Sequence, residues 1–184
     1  MIGWIFLGVL VLGVIFGVMA YNDMIRLENQ VENAWSQIDV QLKRRHDLIP
    51  NLVETVKGYA EHEQETLEKV IQARSQAVNA SSVKEQAQAE GMLNQALEKL
   101  SFVVEDYPDL KANENFRELQ EELTATEDKI AFARQSYNNQ VLQFNNKIEV
   151  FPANFIARLF AFDQREFFEI ENEAERETPE VSFS

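Results

Sequence analysis

The chain has 184 residues, 45% of them hydrophobic, and a formal net charge of −14 from 31 acidic and 17 basic residues. This charge leaves no basic surface for nucleic-acid binding and disfavours strong binding to anionic lipid head groups. The lack of cysteine excludes disulfides, thiolate metal sites and a lipidated cysteine anchor. Six glycines and four prolines are too few for the turns of an all-β fold.

The first predicted element is a transmembrane helix that contacts the lipid bilayer through residues 2–21, within an anchor assigned to residues 1–22. Residues 2–20 carry no charge, and a helix of that length extends about 28 Å, close to the hydrocarbon thickness of a bilayer. Trp4 and Tyr21 lie near its two ends, where amphipathic rings favour the membrane interface. A cleavable signal peptide is the main alternative, although no Lys or Arg precedes the apolar run.

The charges around this span predict its orientation. Nothing basic precedes it, whereas Arg26 follows closely and a cluster at 43–45 follows at a distance. The positive-inside rule therefore favours a single-pass protein of the cell membrane, with its amino terminus outside and its remaining part in the cytoplasm.

After the span, apolar residues recur every three or four positions from Met24, which predicts a helix packed against neighbours. Pro50 interrupts this pattern, and proline both removes a backbone donor and clashes with the preceding turn. We therefore expect a kink or a tight turn within residues 46–51, after which the helical pattern resumes to about residue 77.

The second half begins with a capping box, Ser82 to Glu85, in which side chains satisfy the free amides of a helix start. That helix closes at Pro108. A longer run of apolar residues at helical spacing follows, and it predicts a helix that starts near Asn113 and ends at Phe151-Pro152.

Long helices with short connections predict an all-α fold. We expect an antiparallel up-and-down four-helix bundle over residues 23–162, preceded by the transmembrane helix. Residues 163–184 are predicted to form an acidic tail that frays into solvent. Coiled-coil self-association remains open because the stripes are long.

The segment from Phe151 to Phe168 contains six phenylalanines. Most of them are expected to cover the open end of the bundle core, because each ring buries a large apolar area. The others, with Phe155 and Phe160 as candidates, form an exposed patch that docks a protein partner.

The chain has one basic cluster, Lys43-Arg44-Arg45, followed by His46 and close to Pro50. Pairing with acidic residues of the same bundle is the default, and docking of an acidic partner or contact with lipid head groups are the alternatives. The adjacent proline makes these five residues the favoured candidates for partner docking.

No catalytic, cofactor or metal site is predicted. His46 and His62 are the only histidines, and zinc needs three or four convergent ligands, so a surface or capping role is expected for both. Neighbouring carboxylates such as Glu121 and Glu122 do not face each other on a helix. A hydrolytic enzyme with an unrecognised carboxylate pair is kept as an alternative; it requires two acids from different helices to converge.

One long run resembles the LemA family of bacterial membrane proteins. It extends from Val31 to Tyr59 and is preceded by Tyr21-Asn22. Its sequence is VENAWSQIDVQLKRRHDLIPNLVETVKGY. The second half agrees through Ala133-Arg134, Tyr137-Asn138, Asn145-Asn146 and Phe151-Pro152. The acidic tail after Phe168 has no counterpart in these motifs.

The resemblance implies a membrane-tethered four-helix bundle with no securely assigned activity, cofactor or substrate. The expected function is therefore that of a scaffold or interaction protein of the bacterial envelope. Family members are often encoded beside membrane proteases of the HtpX type, so the resemblance also implies an alternative, an accessory role in envelope quality control.

Overall fold

The computed structural model describes residues 2–60 and 62–169, and their regular secondary structure is entirely helical. Six helices follow one another in this part of the chain: α1 Ile2–Lys57, α2 Gln64–Asn79, α3 Val83–Glu105, α4 Pro108–Ala112, α5 Glu114–Glu149 and α6 Ala153–Leu159. The predicted all-α class is confirmed, whereas the four-helix up-and-down arrangement stays a prediction.

The chain divides into two compact units. The first unit comprises Met1–Val40 and Ile130–Phe167, and the second comprises Gln41–Lys129 and Phe168–Ser184. Two of the three boundaries between the units lie inside α1 and α5, and the third follows Phe167, after α6.

In the first unit, α1 and α5 run antiparallel. Lys147 Nζ lies 3.1 Å from Asp23 Oδ2, and the Tyr137 ring packs against Trp35 with 5.4 Å between centroids. Residue numbers therefore rise along one helix as they fall along the other. Their apolar stripes meet in a core whose fully buried members are Met24, Ile38, Val141 and Phe144.

The second unit has its own hydrophobic core, made by α1, α2, α3, α4 and the start of α5. Its fully buried members include Ile49, Val56, Val70, Leu93 and Phe116. These residues occupy the helical stripes that the sequence predicts, because positions three and four apart lie on one face of a helix.

Helix α1 contains Pro50 and continues to Lys57, so the predicted tight turn at residues 46–51 is wrong. Proline at position 50 cannot donate to the His46 carbonyl oxygen, which would lose its partner. Arg74 from α2 replaces that donor, with Nε 2.6 Å from the oxygen. The backbone can therefore remain helical past the proline without an orphaned carbonyl.

The helix breaks at Gly58 instead of Pro50. The prediction that the helical pattern continues from Pro50 to about residue 77 is therefore wrong, because α1 ends at Lys57 and α2 begins at Gln64. After Lys57 the amides of Tyr59 and Ala60 both donate to the Val56 carbonyl oxygen, at 3.0 and 2.9 Å. Glycine has low helix propensity and favours a helix end at this point.

The helix starts predicted in the second half of the chain are confirmed. Glu85 N donates to Ser82 Oγ at 3.1 Å, and Ser82 N donates to Glu85 Oε2 at 3.3 Å, which completes the capping box at the start of α3. Asn113 accepts the Phe116 amide at 3.0 Å and caps α5.

The predicted tail begins with a packed segment. The Tyr137 hydroxyl donates to the Glu166 carbonyl oxygen at 2.9 Å. Asn145 accepts the Arg165 amide at 2.9 Å and donates back to the Arg165 carbonyl oxygen at 3.0 Å. The backbone groups of Arg165 and Glu166 are thus satisfied by side chains of α5. The rest of the predicted tail, residues 170–184, lies outside the described residues.

Candidate functional site

A buried polar cluster occupies the core of the second unit. Glu90 of α3 is 1% exposed. Its carboxylate lies 2.7 Å from His46 Nε2 and 3.2 Å from Arg45 Nη1, and it accepts a hydrogen bond from Gln86 at 3.0 Å. Arg45 also donates to Asn94. We call Arg45, His46 and Glu90 the buried triad.

Packing on α1 explains the burial of the first two members. Leu42 and Ile49 are core residues, and positions 45 and 46 fall between them on the same face. Arg45 and His46 are therefore 3% and 6% exposed, and the expected surface position of His46 is wrong. A charged group in the core requires a partner, because desolvation of a lone ion costs several kcal/mol.

Sequence reasoning missed Glu90, although a signal was present. Ala87 and Leu93, three positions before and after it, are both buried. A carboxylate inside an apolar helical stripe indicates a buried cationic partner, since buried charges are almost always paired.

The other members of the predicted docking set on α1 lie at the surface. Arg44 forms a half-exposed ion pair with Glu122, at 2.6 Å. Lys43 and Pro50 are exposed, and Lys43 forms no ion pair with any residue that the structure describes. The expected intramolecular pairing is confirmed for Arg44 and Arg45, so Arg45 and His46 are not available to a partner.

An open groove of about 820 Å³ lies in the second unit, beside the buried triad. Its large apolar lining residues are Leu52, Leu97, Leu100, Val104, Phe116 and Leu123. Four acidic residues and two basic residues also line it: Glu98, Glu121, Glu127 and Asp128, with Arg117 and the nearly buried Arg45. This groove therefore combines an apolar lining with negative charge.

Most phenylalanines of residues 151–168 are exposed, whereas most were expected to be buried. Phe151, Phe155 and Phe160 are 73%, 59% and 53% exposed, and Phe167 is also exposed. Only Phe168 is buried among the six, all of which lie in the described part of the chain. The prediction that most of them cover the core is wrong, because α6 uses Ala153 and Ala157 as its buried positions instead.

Helix α6 lies against the apolar part of α1 within the first unit. The Tyr21 ring lies 4.7 Å from the Phe160 ring and 5.8 Å from the Phe162 ring, between centroids. A Cβ atom placed on Gly17 would lie 3.6 Å from Ile156 Cδ1, which is ordinary van der Waals contact. The aromatic segment is therefore fixed to the predicted span.

The end of α6 has a defined geometry. Phe162 N donates to the Ala157 carbonyl oxygen at 2.9 Å, and Ala161 N donates to Arg158 at 3.4 Å. These two bonds form a Schellman motif, with Ala161 at the position that glycine usually occupies. Its φ of 55° is in the left-handed region, where an alanine side chain is strained.

The described residues include no group of three or more His, Cys, Asp or Glu side chains that could hold a metal ion. The buried carboxylate, Glu90, faces a guanidinium and an imidazole. In this arrangement the carboxylate faces cationic or neutral nitrogen groups, and not the second carboxylate that the alternative of a hydrolytic carboxylate pair requires.

Within the described residues, α1 is the one helix long and apolar enough to cross a membrane. Its residues 2–16 are all exposed, including Trp4 at 79% and Leu12 at 68%. Exposed apolar side chains of this number are typical of a lipid-facing surface.

Comparison with known proteins places these features in a family. A model described as the LemA family matches residues 34–183, so the match extends through the tail that the sequence motifs left unassigned. Protein LemA of Metamycoplasma hominis is 32% identical over 74% of this chain and 63% of its own length. Magnetosome protein MamQ 1 of Paramagnetospirillum magneticum is 25% identical over 82% of this chain and 65% of its own length.

A further relative, magnetosome protein MamQ of Magnetospirillum gryphiswaldense, is 24% identical over the same shares of the two chains. The chain spans just under two thirds of the length of these relatives. Neither the family description nor these names denote an enzyme class. With 150 of its positions inside the matched range, the chain belongs to the LemA family.

Proposed function

We propose that this protein is a membrane-anchored helical scaffold that holds a protein partner close to the membrane and catalyses no reaction. The observation that carries the proposal is the composition of α1. This helix begins with an exposed apolar run and continues to Lys57, where it supplies the core residues Ile49, Leu52 and Val56 of the second unit. One element thus serves as membrane anchor and as part of a folded body.

The family relationship supports the membrane location, and the finer features are part of the same proposal. The protein crosses the cell membrane once, with its amino terminus outside and its helical part in the cytoplasm, because Arg26 follows the apolar run and no basic residue precedes it. The helices after the span form an antiparallel up-and-down four-helix bundle.

The groove of the second unit is the proposed docking site for the partner. Its apolar lining, including Leu97 and Leu123, suits the apolar face of a helix. Its acidic residues, including Glu98 and Glu121, favour a partner helix with Lys or Arg beside that face. Lys43 and Pro50, with half-exposed Arg44, provide a second exposed docking surface on α1.

Site-specific photocrosslinking in native membranes tests this proposal. A photoreactive residue replaces Gln120, which is exposed and lines the groove. The matched control replaces Gln88, an exposed glutamine that does not line it. We expect a reproducible protein adduct from position 120, none from position 88, and a weaker adduct when Glu98→Lys reverses a groove charge.

Equal adducts at both positions, or none at position 120, would remove the groove from the proposal. An adduct with a second copy of the chain would mean that the groove mediates self-association and does not bind a different protein. A pair of crosslinkers at positions 43 and 50 tests the surface on α1 in the same membranes.

A membrane protease of the HtpX type is the alternative partner, and this role rests on the family context. It makes a separate demand: deleting the gene for this chain should change the turnover rate of the protease's substrates. Unchanged turnover would end the accessory role and leave the scaffold proposal intact.

A further inference from the structure

We propose that α6 is a second membrane-contacting element, which lies in the lipid interface beside the transmembrane part of α1. The lipid-facing residues are Phe151, Phe155, Leu159 and Phe160, here called the aromatic face. The occupant of this face is the acyl and head-group boundary of the bilayer. The inference rests on the proposed membrane anchor and adds a contact that the anchor does not require.

The position of α6 relative to α1 carries the first step. Ile156 packs against Gly17, and the Phe160 ring packs against the Tyr21 ring in a tilted arrangement. The first charged residue of α1 is Asp23, and Gly17 precedes it by six residues, or about 9 Å of helix. Any bilayer that covers the apolar run of α1 must therefore extend to the depth of α6.

The arrangement of side chains on α6 carries the second step. Phe155 and Leu159 are four residues apart and share one side of α6. The Phe151 ring, just before the helix, lies 5.9 Å from the Phe155 ring between centroids. The three side chains are 73%, 59% and 74% exposed for Phe151, Phe155 and Leu159. The opposite side buries Ala153 and Ala157. A short helix that buries two alanines and exposes its large apolar residues gains little free energy from packing in water. Transfer of its exposed apolar side chains into lipid is strongly favourable.

Local charge carries the third step. Residues 151–162 contain no acidic residue and one basic residue, Arg158, in a chain with a net charge of −14. Arg158 is exposed, and a long cationic side chain at this depth can extend to the head groups. The acidic residues resume at Asp163, where the chain leaves the aromatic face.

Spin-label accessibility measures this contact on the full chain in vesicles of phosphatidylcholine, a neutral lipid. Because the chain has no cysteine, single variants Phe155→Cys and Leu159→Cys each carry one nitroxide label. Molecular oxygen concentrates in hydrocarbon and a nickel chelate stays in water, so the ratio of their collision rates with the label reports its depth.

Two matched positions calibrate the ratio. Leu12→Cys lies in the apolar run and is 68% exposed in the wild-type chain. Phe132→Cys is on α5 and is 74% exposed, but it precedes Lys147, which pairs with Asp23, by 15 residues, or about 22 Å along the helix. Circular dichroism confirms that each labelled chain keeps its helical content.

We expect labels at positions 155 and 159 to collide preferentially with oxygen, as at position 12, and the label at position 132 to collide preferentially with the nickel chelate. Labels at 155 and 159 that match position 132 would overturn the inference and leave the anchor intact. Low collision rates with both reagents would also overturn it, since they indicate cover by protein. A water-exposed label at position 12 would instead contradict the anchor itself.

Discussion

The buried triad allows a quantitative test of the core of the second unit through the substitution Glu90→Gln. This change keeps the side-chain volume but removes the negative charge that faces Arg45 and His46. One carboxylate oxygen also becomes an amide NH2 group, which would point at existing donors. The guanidinium of Arg45, 3% exposed, then keeps only the Asn94 amide and the more distant, half-exposed Glu127 carboxylate.

Breaking a buried ion pair by removing one partner costs about 3–5 kcal/mol. The remaining contacts of Arg45 place the expected loss near the lower limit, about 3 kcal/mol, which is roughly a 150-fold change in the unfolding equilibrium constant. Urea unfolding of the full chain in detergent, followed by far-ultraviolet circular dichroism, measures this loss.

The ion pair between Arg44 and Glu122 provides the matched control. Its two side chains are about half exposed, and exposed pairs contribute about 0–1 kcal/mol. Glu122→Gln should therefore have little effect. Equal losses from the two substitutions would refute the reasoning, because burial would then not determine the cost.

A third variant separates the loss of a charge partner from the loss of packing. Replacing the whole triad by apolar residues, as Arg45→Met, His46→Leu and Glu90→Leu, leaves no unpaired charge in the core. Such replacements are often neutral or stabilising. The triple variant should therefore unfold at a higher urea concentration than Glu90→Gln alone.

Three further predictions concern single contacts. Arg74→Met should lower the free energy of unfolding by about 1–3 kcal/mol because it leaves the His46 carbonyl oxygen without a donor; urea unfolding should show a smaller loss in a Pro50→Ala background, where the backbone supplies that donor. Ala161→Gly should raise the free energy of unfolding by about 0.5–1 kcal/mol, measured by thermal unfolding, because glycine relieves the left-handed strain. Burial raises the pKa of Tyr137, so the folded chain holds the phenolic proton more tightly than the unfolded chain does. Its contribution to stability should be complete below the ordinary value of about 10 and should be lost as pH rises from there through the raised pKa of the folded chain; Tyr137→Phe should remove that contribution.

Each of these three predictions has a contrary outcome. Equal losses from Arg74→Met in both backgrounds would mean that the guanidinium does not replace the donor missing at Pro50. A destabilising Ala161→Gly would mean that the alanine side chain contributes more than its strain costs. The absorbance of tyrosinate, titrated with pH, should lose its component at highest pH in Tyr137→Phe. Loss of a component with the ordinary tyrosine pKa instead would contradict the raised pKa.

The helical class and several boundaries follow from the sequence because their causes are local. A stripe with spacings of three and four predicts a helix, and the Ser82 capping box and Pro108 predict its two ends. The break at Gly58 was missed because Pro50 gave a stronger local signal. The donor that replaces the one missing at Pro50 comes from Arg74, 24 residues away, and no pattern along the chain identifies that contact.

The sites were harder to predict because their character depends on which residues meet. His46 was expected at the surface, and the sequence predicted an acidic partner for Arg45 without identifying Glu90, which lies beside both in the core. The phenylalanines were expected in the core because burial in a protein core and contact with lipid favour the same apolar residues. An apolar side chain avoids water in either case. Their exposure in the structure excludes a place in the core for most of them, and the contact between Gly17 and Ile156 motivates the proposed lipid contact.

The most direct test of the membrane anchor is extraction of the full chain from native membranes. A protein held by a lipid-spanning helix should remain in the membrane pellet after alkaline carbonate washing and should be released by detergent. A variant with Leu10→Arg and Ile15→Arg should lose this retention, because each charge in the hydrocarbon costs about 2.5–3.5 kcal/mol. Recovery of the unaltered chain in the carbonate supernatant would contradict the account.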